Sequence, residues 1–177
     1  MSSFTERMIG AAQLRPRTYE EVEHDPNGTR QAVAVVLIAS VGAGIGSIGL
    51  QAASLSALVA GSLAALFAWI IWAVLVMVIG TQLLAERRTS ADVHQLLRTT
   101  GFAQAPGILR AAGIVPVLGP AIYVVVSLWI VVATVVAVRQ ALDFTSTTRA
   151  VLVCVIGWLV SVVATLLILV LFGPVGR

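Results

Sequence analysis

The stretch TYEEVEHDPNG crowds Glu20, Glu21, His24 and Asp25 into six residues, and Asp92 and His94 recur further along. Carboxylates and imidazoles are donors for a divalent metal, and an enzyme in this chain would have to draw on them for acid–base chemistry. The spacing carries neither signature. There is no HExxH, no paired cysteine and no Ser/His/Asp order, and such side chains in a cytosolic connection are normally just solvated. A second pattern, Gly44, Gly46 and Gly49 in VAVVLIASVGAGIGSIG, has the spacing of a dinucleotide fingerprint. No carboxylate follows until Glu86, so the ribose-binding acid is missing, and the apolar run is long enough to cross a bilayer. Gly42 and Gly46 read instead as a GxxxG packing pair. The third candidate is GFAQAPGILRAAGIVPVLGP, which sets Gln104, Pro106 and Arg110 among apolar neighbours. Together these residues point to no enzyme, no cofactor and no bound metal.

The elements that position these residues are membrane helices. Hydrophobic residues make up 59% of the 177, charged residues only 11%, and the mean hydropathy is +1.00. That composition is far from a soluble chain's, in which about a quarter of residues are charged. The pI near 10 comes entirely from arginine, since the chain has no lysine; it reflects topology, and no nucleic-acid partner is expected. Cys154 is alone, so no intrachain disulfide forms. The first 30 residues lack the apolar core of a cleavable signal, and the first apolar run is expected to act as an uncleaved anchor.

A bilayer core about 30 Å thick needs about 20 helical residues. Runs over 31–50, 55–80, 121–138 and 150–172 meet that length, and 97–115 is a fifth candidate. Five crossings put nine arginines (7, 15, 17, 30, 87, 88, 98, 139 and 149) on one side, leaving Arg110 and Arg177 over. A re-entrant 97–115 would move Arg139 and Arg149 across and weaken the bias. The positive-inside rule therefore favours five spans in the plasma (inner) membrane, with the N-terminus cytoplasmic and the C-terminus, residues 173–177, outside. Within 97–115, Pro106 lacks an N–H and clashes with the carbonyl of Phe102, so a kink is expected there. Gly101 with Ala105, and Ala103 with Gly107 and Ala111, form small-residue stripes for close helix packing. Arg110 is expected to snorkel toward headgroups and Gln104 to bond a neighbouring helix. Pro120 suits the first turn of the next span.

Residues 1–30 form a cytosolic arm. Phe4, Met8, Ile9 and Ala12 share one side of a helix able to lie on the membrane surface. A second helix is expected over Pro16–His24, stopped by Asp25, Pro26 and the Asn27-Gly28 turn. Its acids are expected to pair with Arg87, Arg88 or Arg98 and lock the arm under the bundle.

The order TYEEVEHDPNGTRQA, two spans, GFAQAPGILRAAGIVPVLGP, VRQALD and a last span resembles the YIP domain, the Ypt/Rab-interacting family of five-span membrane proteins. Gly101, Phe102 and Pro106 match the eukaryotic branch's glycine, tyrosine, three residues, proline motif with Phe for Tyr. Asp25, Pro26 and Gly28 loosely echo its Asp-Leu-x-Gly-Pro. The short arm resembles the prokaryotic branch, for which the resemblance supplies no activity. In the eukaryotic branch it implies binding of prenylated Rab-type GTPases and a role in vesicle formation.

The fold class expected is all-α: five transmembrane helices with a helical arm. The function expected is non-enzymatic membrane organisation, or an adaptor that binds lipids, an unidentified protein or a second copy of itself. Candidate contact residues are Tyr19, Glu20, Glu21, Asp25, Pro26, Arg98, Gly101, Phe102, Gln104, Pro106 and Arg110. The alternative is a small transporter, channel or lipid-moving protein using the kinked third span. A conduit needs polar groups at several depths, and Gln104, Arg110, Ser127, Thr134, Ser161 and Thr165 are a thin inventory.

Overall fold

Alternating charge near the N-terminus gives way to apolar runs at about Gln31, and the computed structural model follows that division. It describes residues 2–47, 54–86, 89, 91–115 and 117–172, apart from the side chains of residues 169 and 172. Two short helices, α1 (Phe4–Ala12) and α2 (Pro16–His24), build the arm. Ser3 and Glu6 form a capping box that starts α1, and Pro16 opens α2, where its missing N–H costs nothing. Between them Leu14 takes φ 59°, a left-handed turn that folds α2 back on α1.

Among the described residues four helices are long and apolar enough to cross a membrane: α3 (Gly28–Ser47), α4 (Leu55–Val78) with a terminal π turn (Ile79–Leu83), α6 (Gly119–Ala141) and α7 (Thr147–Phe172). Their outward residues are large and apolar, Phe67 and Ile71 on α4, Leu128 on α6 and Leu159 on α7 among them, as a lipid-facing belt requires.

The 97–115 segment is not one kinked α-helix. It begins as α5 (Val93–Phe102), breaks at Ala103 and Gln104, and continues as a ten-residue 3₁₀ helix (Ala105–Ile114). Pro106 is the reason for the break. It cannot donate to Phe102, so the last turn tightens, with Gln104 N–H bonding Gly101 O at 3.1 Å. A 3₁₀ helix rises about 2.0 Å per residue. With about 1.5 Å per residue in α5, the two pieces reach roughly 35 Å if laid end to end.

This broken segment runs beside α3 in the same direction. Arg98 lies at Gly28, Gly101 at Ala32, Gly107 at Ala39 and Gly113 at Gly46. A Cβ on Gly101 would stand 2.6 Å from that of Ala32, and one on Gly107 would stand 2.8 Å from that of Ala39, so these positions admit only glycine at this helix spacing. The GxxxG pair of α3 is thus used, with Gly42 against the backbone of Gly107 and Ile108. Helix α4 returns antiparallel to α3, joined by Ser40 Oγ donating to Ser62 Oγ at 2.9 Å. Helix α6 returns antiparallel to the broken segment, with Gly119 at Gly113 and Ile130 at Gly107. Trp158 of α7 stacks on Trp72 of α4, ring centroids 5.8 Å apart.

Candidate functional site

The first cluster of polar chemistry lies in the arm. Arg7 on α1 is almost fully buried, its side chain 2% exposed. It donates to Glu21 Oε1 at 3.0 Å, to Asp25 Oδ2 and to Gln31 Oε1 at 2.9 Å. Asp25 also accepts the Asn27 N–H at 2.8 Å, closing the turn into α3. Hydrogen bonds from Arg7 and Asn27 hold the Asp25 carboxyl below its ordinary value, and those from Ser2 and Arg7 do the same for Glu21.

The cation partnering Glu21 and Asp25 is therefore Arg7, within the arm, and not Arg98 as expected. Arg98 instead donates to the backbone carbonyl of Glu23 at 2.7 Å and to Thr29 Oγ1 at 3.1 Å, tying α2 and α3 to α5. Arg87 and Arg88 lie outside the described residues. Glu20 and Pro26 are exposed, Pro26 within the turn closed by Gly28 N–H on Asp25 O.

The surface expected to meet the membrane meets protein. Phe4, Met8 and Ala12 pack on the core while Ile9 remains exposed, because α2 and the α5–α6 face offer α1 an apolar seat. Phe4 contacts Phe102 edge to face, with centroids 6.3 Å apart, and Trp129 Nε1 of α6 donates to Ala12 O at 2.7 Å. Tyr19 is buried and donates to Ala11 O at 3.0 Å, so it fastens α2 to α1 and offers nothing to a partner. Gly101, Phe102 and Pro106 meet where the arm, α3 and α4 converge. There Trp69 Nε1 also donates to Thr100 Oγ1 at 3.2 Å.

Sequence reasoning counted Glu23 only among the arm's acids expected to pair with arginine and missed its burial. It is 4% exposed, and burial pushes its carboxyl up to about 7, with His24, Asp143, Glu20 and Arg98 the charged groups around it. The i, i+3, i+4 spacing of Tyr19, Val22 and Glu23 was the available signal, since it puts all three on the buried face of α2.

The second site is a cleft of about 890 Å³ in the half of the bundle away from the arm, between α3, α4 and α7. Trp69, Trp72 and Trp158 close it toward the middle. Gln104 and Arg110 border it and also border a smaller adjoining space of about 250 Å³ beside Ser127 and Thr134. Arg110 lies across α6, Nη2 donating to Ser127 Oγ at 2.9 Å and the guanidinium 4.6 Å from the Tyr123 ring centre. Its Nε is buried without a partner. The bond expected for Gln104 is not made among the described residues.

Among the described residues no three His, Cys, Asp or Glu side chains converge on a common point. Apolar helices of spanning length around a small-residue seam define an all-helical integral membrane protein. The match to the Yip1 domain extends over residues 12–169, nearly the whole of the described bundle, and the chain belongs to that family. No curated protein and no solved structure gives a significant match.

Proposed function

We propose that this Yip1-family membrane protein is a non-enzymatic adaptor, crossing the plasma membrane five times with its arm in the cytoplasm. The fifth crossing is the α5–3₁₀ segment, supported by its parallel course along α3 and by the arginine bias. One observation favours an adaptor over a conduit: the four hydroxyls that the sequence offered for a path are spent on their own helices. Ser127 donates to Tyr123 O, Thr134 to Ile130 O, Ser161 to Gly157 O and Thr165 to Ser161 O, at 2.7 to 2.9 Å. Among the described residues this leaves Gln104 and Arg110 as the polar groups of that inventory not spent in this way, too few for a ladder that replaces an ion's hydration.

The surface offered to a protein partner is the exposed side of α2, where Arg17, Glu20 and His24 stand at helical spacing. Charge reversal at Arg17 and Glu20 removes the partner from native-membrane co-purification while leaving thermal stability intact. Unchanged co-purification, or solute flux in reconstituted vesicles, overturns the reading.

A further inference from the structure

Among the described residues Arg110 is a cation without an anion. All eight Asp and Glu residues of the chain lie in the arm or in the connections on its side of the bundle. None occurs between Asp25 and Glu86, between Asp92 and Asp143, or after Asp143. No acidic side chain of the chain is therefore near Arg110, which sits at the level of Gly46, close to the far end of α3. Ser127 satisfies one nitrogen, Tyr123 covers one face, and the buried Nε has no partner among the described residues. An unpaired charge at this depth is costly, and a planar guanidinium matches a phosphate better than any neutral acceptor.

The shape beside it selects the kind of phosphate. The cleft is lined mainly by apolar side chains, with stacked Trp72 and Trp158 among them and with Ile71 of α4 and Ile168 of α7, both exposed on the bundle's outer surface, in its wall. A free inorganic anion would leave that apolar length empty. An amphiphile fills it, its chain running toward the bundle middle and its headgroup at the rim. The adjoining space, with the unbonded Gln104 amide at its edge, gives the headgroup polar room.

We infer that the cleft binds one acyl chain of an anionic phospholipid, whose phosphate is held by Arg110 with Gln104 as a second donor. This rests on the reading of the chain as a non-conducting membrane adaptor, and it names the lipid that such a bundle retains.

The test uses the full chain in detergent, mixed with micelles carrying equal fractions of phosphatidylglycerol or phosphatidylcholine, with bound lipid counted by native mass spectrometry. The wild type retains phosphatidylglycerol in preference to phosphatidylcholine, and millimolar inorganic phosphate does not displace it. R110Q lowers retention about tenfold or more, the scale of one charge-assisted hydrogen bond. Gly61 borders the cleft, and a Cβ there meets nothing within 4 Å, so G61F fills the cleft without an immediate backbone clash and also loses the lipid. Should R110Q fail to fold, G61F decides alone. Equal retention of the two lipids, displacement by free phosphate, or undiminished binding in G61F overturns the assignment. Solute flux in vesicles with selective lipid retention intact would sink the adaptor reading and leave the lipid site standing. Unselective lipid retention without flux would do the reverse.

Discussion

Replacing Arg7 with Ala removes the one cation that two arm carboxylates share. The Asp25 side chain is 6% exposed and that of Glu21 36% exposed, so their losses differ. Breaking a buried pair costs about 3–5 kcal/mol because the partner's charge is stranded, whereas a half-exposed pair contributes less than about 1 kcal/mol. Asp25 keeps the Asn27 N–H, which places the expected loss at the low end, about 3 kcal/mol. The loss falls on the arm, because among the described residues the hydrogen bonds of Arg7 go to Ser2, Glu21 and Asp25 of the arm and only one, to Gln31, reaches the bundle. At 1.4 kcal/mol per decade, α1 and α2 amides should exchange hydrogen about a hundredfold faster. Amides in the middle of α3 and α6 should keep their rates. The R7A/D25A double variant should lose less than the sum of the single variants. Hydrogen exchange read by mass spectrometry in detergent checks all three. An acceleration under threefold in the arm, or an equal acceleration in α3, would refute the assignment of Arg7 as the arm's lock.

Gly107→Leu overpacks the seam against Ala39 and prevents stable assembly, while Gly61→Leu, with open space at its Cβ, assembles normally; size-exclusion profiles and melting curves separate them. Gln104→Leu and Arg110→Met leave folding largely intact, since neither side chain bonds more than one protein group, and a lost melting transition in either would make the cleft structural. The arm's two buried carboxylates respond to pH with opposite sign. Asp25, held below its ordinary 3.8, stabilises the arm at neutral pH and loses that contribution as pH falls below 3.8 toward its folded value. Glu23, raised from 4.5 to about 7, favours the folded arm below 4.5 and loses that contribution as pH rises through 7. Glu23→Gln should therefore flatten the arm's exchange rates between those two pH values, and an unchanged profile would show that Glu23 titrates freely.

Much of the architecture was readable because local signals agree with tertiary packing. Pro16 and the Asp25, Pro26, Asn27 turn bound α2 where the structure has it, and Pro106 marks the break after Phe102. The GxxxG of α3 found its partner in the glycines of the next parallel segment. The shift from α to 3₁₀ geometry was not readable, because it depends on how closely Gly42 and Gly46 let the backbone of Ile108 and Arg110 approach. The lock of the arm was misread for a similar reason. Arg7 is 18 residues from Asp25, and only the left-handed turn at Leu14, which no glycine or asparagine announces, brings them together. Ile9 and Trp129 show the same limit, since which side of α1 meets the bundle is decided by the cup that α2, α5 and α6 form.

The central claim is that residues 93–114 carry the chain across the membrane, and side-specific cysteine labelling tests it most directly. In a Cys154→Ser background, cysteines replace Val117 and Thr148, both exposed and at opposite ends of α6 and its connections. A membrane-impermeant thiol reagent added outside intact cells should label the residue at 117 and spare that at 148 until the membrane is opened. Labelling of both from the same side, or of 148 alone, would contradict the five-span account.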